Sequence, residues 1–166
     1  MERSMLSKLW FFMMPLLEFL SFFQRAGMWL RRIKRKKKFG LYVIGYGGIT
    51  VGGVGKTPAV IGRASLEIEK GKHVCVVSRG YKGISYNGTI KGKSISGKIL
   101  LEFYSKNGDK VNEKIVSVNE ASKIIGDELT LVLLSIPSII VFKDKNRLRA
   151  LSIAEKLGVE LAILDD

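Results

Sequence analysis

Thr50-Val51-Gly52-Gly53-Val54-Gly55-Lys56-Thr57 is the stretch whose reading decides the fold. The apolar run Leu41-Tyr42-Val43-Ile44-Gly45 precedes it, and a helical pattern from Pro58 to Glu69 follows, with Pro58 suited to a first helical turn. A strand, a glycine-rich turn and a helix in that order aim several backbone N–H groups, and the positive end of a helix dipole, at one point in space. Phosphate is the natural ligand there. Gly52, Gly53 and Gly55 permit the turn and a close backbone approach, Lys56 can reach the β- and γ-phosphates, and the Thr57 hydroxyl can ligate Mg²⁺. The strict pattern wants Gly where Thr50 stands, so residues 50–57, with Val51 and Val54 between the glycines, form a variant P-loop.

Working outward, His73-Val74-Cys75-Val76-Val77 reads as a second strand after a break at Gly71, which makes a βαβ unit and implies a parallel sheet. Residues 81–97 are rich in Gly, Lys and Ser and read as a loop or weak hairpin; Lys98 to Tyr104 and Lys114 to Val118 read as strands. Residues 119–135 are mostly helical in pattern, Ser138 to Phe142 a strand, Asn146 to Leu157 a helix ended by Gly158, and Val159 to Leu164 a last strand. The expected class is α/β, P-loop NTPase-like, with a mostly parallel sheet, flanking helices and an N-terminal hydrophobic interfacial helix before it. Residues 1–38 and 39–166 are the expected domains.

In an open α/β sheet, ligands bind outside the carboxyl ends of the strands. Three polar clusters gain weight from position: Ser78-Arg79-Gly80-Tyr81 after the second strand, Gly126-Asp127-Glu128 between two helical stretches, and Asp165-Asp166 after the last strand; the rule puts Arg79, Asp165 and Asp166 on one edge with the P-loop. Arg79 can take developing charge and Asp165 and Asp166 can hold Mg²⁺, directly or through water, as phosphoryl transfer requires. His73 has no Cys, His or carboxylate partner at metal-binding spacing, and the single cysteine, Cys75, cannot form an internal disulfide and reads as a small buried hydrophobe.

The 166 residues carry 28 Lys plus Arg against 15 Asp plus Glu, a net charge of +13, with 46% hydrophobic residues and only 3 Pro. That balance excludes a collagen, a disordered tail and a disulfide scaffold. Residues 1–38 hold +8 of the charge, and seven of the eight positions from Arg31 to Lys38 are basic. Before that run lies an apolar stretch from Leu9 to Phe23, interrupted by Pro15, Glu18 and Ser21. Interruption disfavours a membrane span, and positive charge after rather than before the apolar core disfavours a cleaved export signal. The expected role is interfacial: Trp10, Phe11, Phe12, Phe19, Phe22, Phe23 and Trp29 enter the headgroup boundary while Arg25 and the basic run meet an anionic membrane surface. A nucleic-acid arm is disfavoured because the aromatics precede the basic run instead of interleaving with it.

Four stretches taken in order, Gly47 to Pro58, Val77-Ser78-Arg79-Gly80-Tyr81, Ile125-Gly126-Asp127-Glu128 and Ile163-Leu164-Asp165-Asp166, resemble the tetraacyldisaccharide 4'-kinase family of lipid A biosynthesis in Gram-negative bacteria. The resemblance implies transfer of the ATP γ-phosphate, with Mg²⁺, to the 4'-hydroxyl of a tetraacylated glucosamine disaccharide 1-phosphate at the cytoplasmic face of the inner membrane. It puts the family's catalytic Asp on Asp127, which would accept the proton of the sugar hydroxyl or orient that hydroxyl. Gly48 stands where the family usually has Asn, and Leu129 where it usually has Pro. Family members continue past the Asp-Asp pair into a Gly-x-Gln-His stretch and a further half that contains a His partner for the catalytic Asp, whereas His73 is the only histidine here. The expectation is an N-terminal half, from a split or truncated gene, with little or no activity by itself and a separately encoded C-terminal half as a candidate partner. Two other readings stand beside it: a membrane-associated ATPase of the partitioning type, against which Val51 counts because that loop has Lys there, and a non-catalytic fragment that keeps the loop as a relic.

Overall fold

Val74 to Ser78 is buried at every position, and the fold is arranged around that strand. The structure, a computed structural model, describes residues 18–19, 21–25, 27, 38–47 and 55–165. The chain divides into two units, residues 1–38 and 39–166. In the first, the described residues from 18 to 27 are helical, and Phe19, Phe22 and Phe23 are 61%, 66% and 58% exposed. Phe23 meets Phe19 and Phe22 edge to face at 4.9 and 6.1 Å between ring centres. The rest of the expected interfacial helix, including Trp10, Phe11, Phe12, Trp29 and the basic run up to residue 37, lies outside the described residues.

The second unit runs β1 (Tyr42–Tyr46), α1 (Lys56–Glu69), β2 (Val74–Ser78), β3 (Thr89–Ile95), β4 (Lys98–Tyr104), β5 (Lys110–Val116), α2 (Val118–Ile125), α3 (Asp127–Ser135), β6 (Ile140–Lys143), α4 (Arg147–Lys156) and β7 (Leu161–Asp165). The strands form one seven-stranded sheet in the order β1-β7-β2-β6-β3-β4-β5. β1, β7, β2 and β6 are parallel, whereas β3, β4 and β5 add as an antiparallel meander beyond β6. The sheet is therefore mixed, which corrects the mostly parallel expectation. The physical reason lies in residues 81–97, read as a loop or weak hairpin: their polar, glycine-rich second half is strand β3, and Ser96 and Gly97, both at positive φ, close a two-residue hairpin into β4. β3 pairs with β6 along Ile90 to Lys93, a long-range contact that no local pattern announces. β5 starts earlier than expected because six of its seven residues are exposed and it carries no buried alternation to mark it.

Side chains alternate across the sheet and build two cores. Val74, Val76, Val141, Leu161 and Ile163 face α1, α2 and α3; Cys75, Val77, Phe142 and Ala162 face α4. α1 offers Val60, Ala64 and Glu67 along one stripe. Ser117 caps α2 by accepting from the Glu120 N–H at 3.3 Å, and Asn146 caps α4 by accepting from the Arg149 N–H. The buried Glu67 carboxylate is held by Arg63 at 3.1 Å, Lys70 at 3.0 Å and Lys72 at 2.6 Å. Hydrogen bonds from Lys72 and then Lys70 pull its pKa down to about 2. Because the folded value lies below the ordinary 4.5, the stability this cluster contributes is present above that pH and is lost as pH falls toward about 2. Glu67→Gln should lower the melting temperature at neutral pH and flatten its decline through that window, as thermal unfolding followed by circular dichroism at stepped pH would show.

Candidate functional site

Parallel pairing brings four strand ends to one edge. Tyr46 of β1 sits opposite Asp165 of β7, Asp165 opposite Ser78 of β2, and Ser78 opposite Lys143 of β6. The segments that leave this edge carry the glycine loop, Arg79 and the Asp144 to Arg147 turn, which is the arrangement expected of a ligand crevice in an α/β sheet.

Thr50, Val51, Gly52, Gly53 and Val54 of the loop, and Asp166, lie outside the described residues. Gly55 enters α1 at φ +67°, so Lys56 and Thr57 occupy the first turn of that helix, at the positive end of its dipole. Asp165 is 5% exposed, and its Oδ2 has no hydrogen-bond partner among the described residues. Burial raises its pKa first and the charge of Glu128 raises it further, while Lys56 opposes both. Lys56, Asp165 and Glu128 therefore share one corner. A buried carboxylate oxygen without a donor, beside the head of a helix, suits a divalent cation carried by phosphate oxygens. The described residues contain no group of three or more His, Cys, Asp or Glu able to cage a metal alone, so Asp165 and Thr57 fit Mg²⁺ only as partners of such phosphates.

Asp127 begins α3 and is exposed; Ser122 Oγ donates to its Oδ1. Gly126 before it has φ +96°, and a Cβ there would lie 2.5 Å from the Tyr81 carbonyl oxygen, so only glycine lets the segment after β2 lie against this turn. Arg79 sits on that segment, and its charge, after burial, lowers the pKa of Arg147. Two guanidinium groups thus flank the edge. Before Arg147 in the same turn, Asp144 is a buried carboxylate that accepts from Arg149 Nε and Nη2 at 2.7 Å each and from the Asn146 N–H at 2.7 Å. The structure brings together Lys56 with Asp165, and Arg79 with the turn before Asp127. Sequence reasoning assigned no role to Glu128, Lys143, Asp144 or Arg147. The strand-end rule could have found the last three, since all follow or end the strand read at 138–142.

Residues 9–96 match the LpxK family, tetraacyldisaccharide-1-P 4'-kinase. The chain belongs to that family. It is 34% identical over 158 residues to the tetraacyldisaccharide 4'-kinase of Syntrophus aciditrophicus, covering 91% of this chain and 37% of that protein. Against the Aliarcobacter butzleri enzyme of the same name, identity is 35% over 137 residues, 82% of this chain and 36% of that one. The fold resembles a crystal structure of LpxK from Aquifex aeolicus in complex with ATP, with a TM-score of 0.59 and 31% identity, covering all of this chain and 44% of that one. The chain thus spans little more than a third of the length of these curated kinases.

An ionised, under-bonded Asp165 costs stability at neutral pH, and the cost is relieved as pH falls because its folded pKa is raised. Asp165→Asn should therefore stabilise the fold of this kinase-family chain by about 1 kcal/mol. Thermal melting of the two chains at neutral pH checks this.

Proposed function

We propose that this chain carries the nucleotide-binding part of a tetraacyldisaccharide 4'-kinase, which uses ATP with Mg²⁺ to phosphorylate the 4'-hydroxyl of a tetraacyldisaccharide 1-phosphate in lipid A biosynthesis. The observation that carries the reading is the single corner shared by Lys56, in the first turn after the glycine loop, and Asp165, at the end of the adjacent strand. In this reading residues 50–57 cradle the phosphates, and Lys56 holds the β- and γ-groups. Thr57, Asp165 and Asp166 would hold Mg²⁺, which when bound would supply neutralising charge to the phosphate oxygens.

The sugar 4'-oxygen attacks the γ-phosphorus, the bond from that phosphorus to the bridging oxygen breaks, and ADP leaves. Asp127 takes or orients the hydroxyl proton through the carboxylate oxygen not engaged by Ser122, and Arg79 faces the charge that develops on the phosphoryl group. Little covalent chemistry is asked of the protein in such a transfer; positioning and charge do most of it.

The lipid acceptor agrees with the exposed Phe19, Phe22 and Phe23 and with the Arg31 to Lys38 run, which suit peripheral attachment to the anionic cytoplasmic face of the bacterial inner membrane. No helix among the described residues is long and apolar enough to cross a membrane.

Calorimetry should detect Mg-ATP binding by the unsubstituted chain and a loss of roughly tenfold to a hundredfold in Lys56→Ala, the range for removing a charged hydrogen-bonding partner. No binding by the unsubstituted chain would overturn the nucleotide assignment. A 4'-phosphorylation assay with the lipid acceptor tests the transfer itself. Replacing Phe19, Phe22 and Phe23 together by Ser should weaken sedimentation with anionic vesicles, and unchanged sedimentation would remove the membrane role of this segment.

A further inference from the structure

Lys143, the last residue of β6, is 6% exposed although it is a lysine. Its Nζ donates to the carbonyl oxygens of Ile84 at 2.7 Å and Ile124 at 2.6 Å. Ile84 belongs to the segment that leaves β2 with Arg79, and Ile124 belongs to the last turn of α2, just before Gly126 and Asp127. One ammonium group therefore ties together two segments far apart in sequence, each carrying a residue of the candidate site. The tie is reinforced by the Ile84 N–H, which donates to the Lys123 carbonyl at 3.1 Å.

The surroundings are shaped to this side chain. A Cβ on Gly83 would lie 2.2 Å from Lys143 Nζ and 2.5 Å from the Ile124 carbonyl oxygen, and one on Gly80 would lie 2.5 Å from both Lys143 Cδ and the Ile125 carbonyl oxygen, so both glycines leave room for the lysine and for the close approach of α2. The carbonyl it meets in α2 is one of the four at a helix C-terminus that no intrahelical N–H satisfies, and a cation there also faces the negative end of the helix dipole. Burying an ammonium is costly, and an apolar residue of similar length would pack at this position without that cost. What an apolar residue could not do is bond both carbonyls. Burial, with Lys145 nearby, pushes the Lys143 pKa down to about 8.

We propose that Lys143 is a positioning residue, a clamp that locks the Arg79–Ile84 segment to the α2–α3 turn so that Arg79 and Asp127 are presented to the same reacting group. The assignment rests on the phosphoryl-transfer reading for the purpose of the clamp, though not for its existence. Lys143 touches neither nucleotide nor acceptor in this scheme. It acts through the backbone of its two neighbours, and this accounts for a charged group standing where the sheet interior would otherwise be apolar.

The test is amide hydrogen exchange on the full chain carrying Lys143→Met, which keeps the aliphatic stem and removes the donors, together with the ¹³C shift of the Asp127 carboxylate. Amides of residues 80–84 and 122–128 should exchange roughly tenfold or more faster, the local opening expected for lost charge-assisted bonds, and the Asp127 signal should move. The β3–β4 hairpin and α4 should keep their protection. Unchanged exchange in the two segments, an unmoved Asp127 signal, or uniform loosening of the whole sheet would overturn the clamp. If Lys143→Met does not fold, Lys143→Arg, which keeps a cation and donors on a longer stem, should hold the protection of both segments near that of the unsubstituted chain, and local loosening there would count equally against the proposal. Mg-ATP titration of the unsubstituted chain is run in parallel: no binding there defeats the phosphoryl-transfer reading, while the exchange pattern still decides the clamp.

Discussion

Everything at the candidate site depends on the parallel registration of β1, β7, β2 and β6. Parallel strands end on the same side, so pairing Tyr46 with Asp165, Asp165 with Ser78 and Ser78 with Lys143 commits four chain exits to one edge. A slip of one residue in β7 would turn Ile163 from the α1 face to the α4 face and carry Asp165 out of the corner it shares with Lys56. The alternation of buried residues in β2 and β7, which fills two separate cores, is thus also what holds the site's charges in place.

Buried charge in this chain falls into two kinds. Glu67, Asp144 and Lys143 are answered by partners within hydrogen-bond reach: three cations, a bidentate guanidinium and two carbonyls. Asp165 is different, with one oxygen unanswered by the described residues and with Glu128 adding like charge. Satisfied charges stiffen the frame, whereas an unsatisfied one is a strained group of the sort that binding sites retain. The Asp144 network braces the turn that carries Arg147, and the Lys143 contacts brace the segment that carries Arg79, close enough for its charge to lower the Arg147 pKa after burial.

The elements that could be read from the chain were those whose evidence is local. Lys98 to Tyr104, the helix after Lys56 and the helix from Asn146 each announce themselves by buried periodicity or a cap. β3 and β5 do not. β3 reads Thr-Ile-Lys-Gly-Lys-Ser-Ile, and its place is set by pairing to β6 and β4; β5 is exposed nearly throughout and is set by β4 alone. The same division holds at the site. Lys56, Thr57, Arg79 and Asp165 are marked as candidates by motif spacing or a strand end and Asp127 by the family resemblance, while Lys143 owes its place to groups that are neighbours only after folding.

By itself, then, the sequence determined the glycine-rich loop motif, the alternation of strands and helices around it, the family resemblance and the concentration of positive charge before Phe39, since each is written in residues close together along the chain. Only the tertiary structure decided that the sheet is mixed, that Asp165 is buried beside Lys56, and that one lysine joins the Arg79 segment to the turn before Asp127. Those outcomes follow from long-range strand registration and from the cost of burying charge, and both depend on which distant segments come to lie side by side.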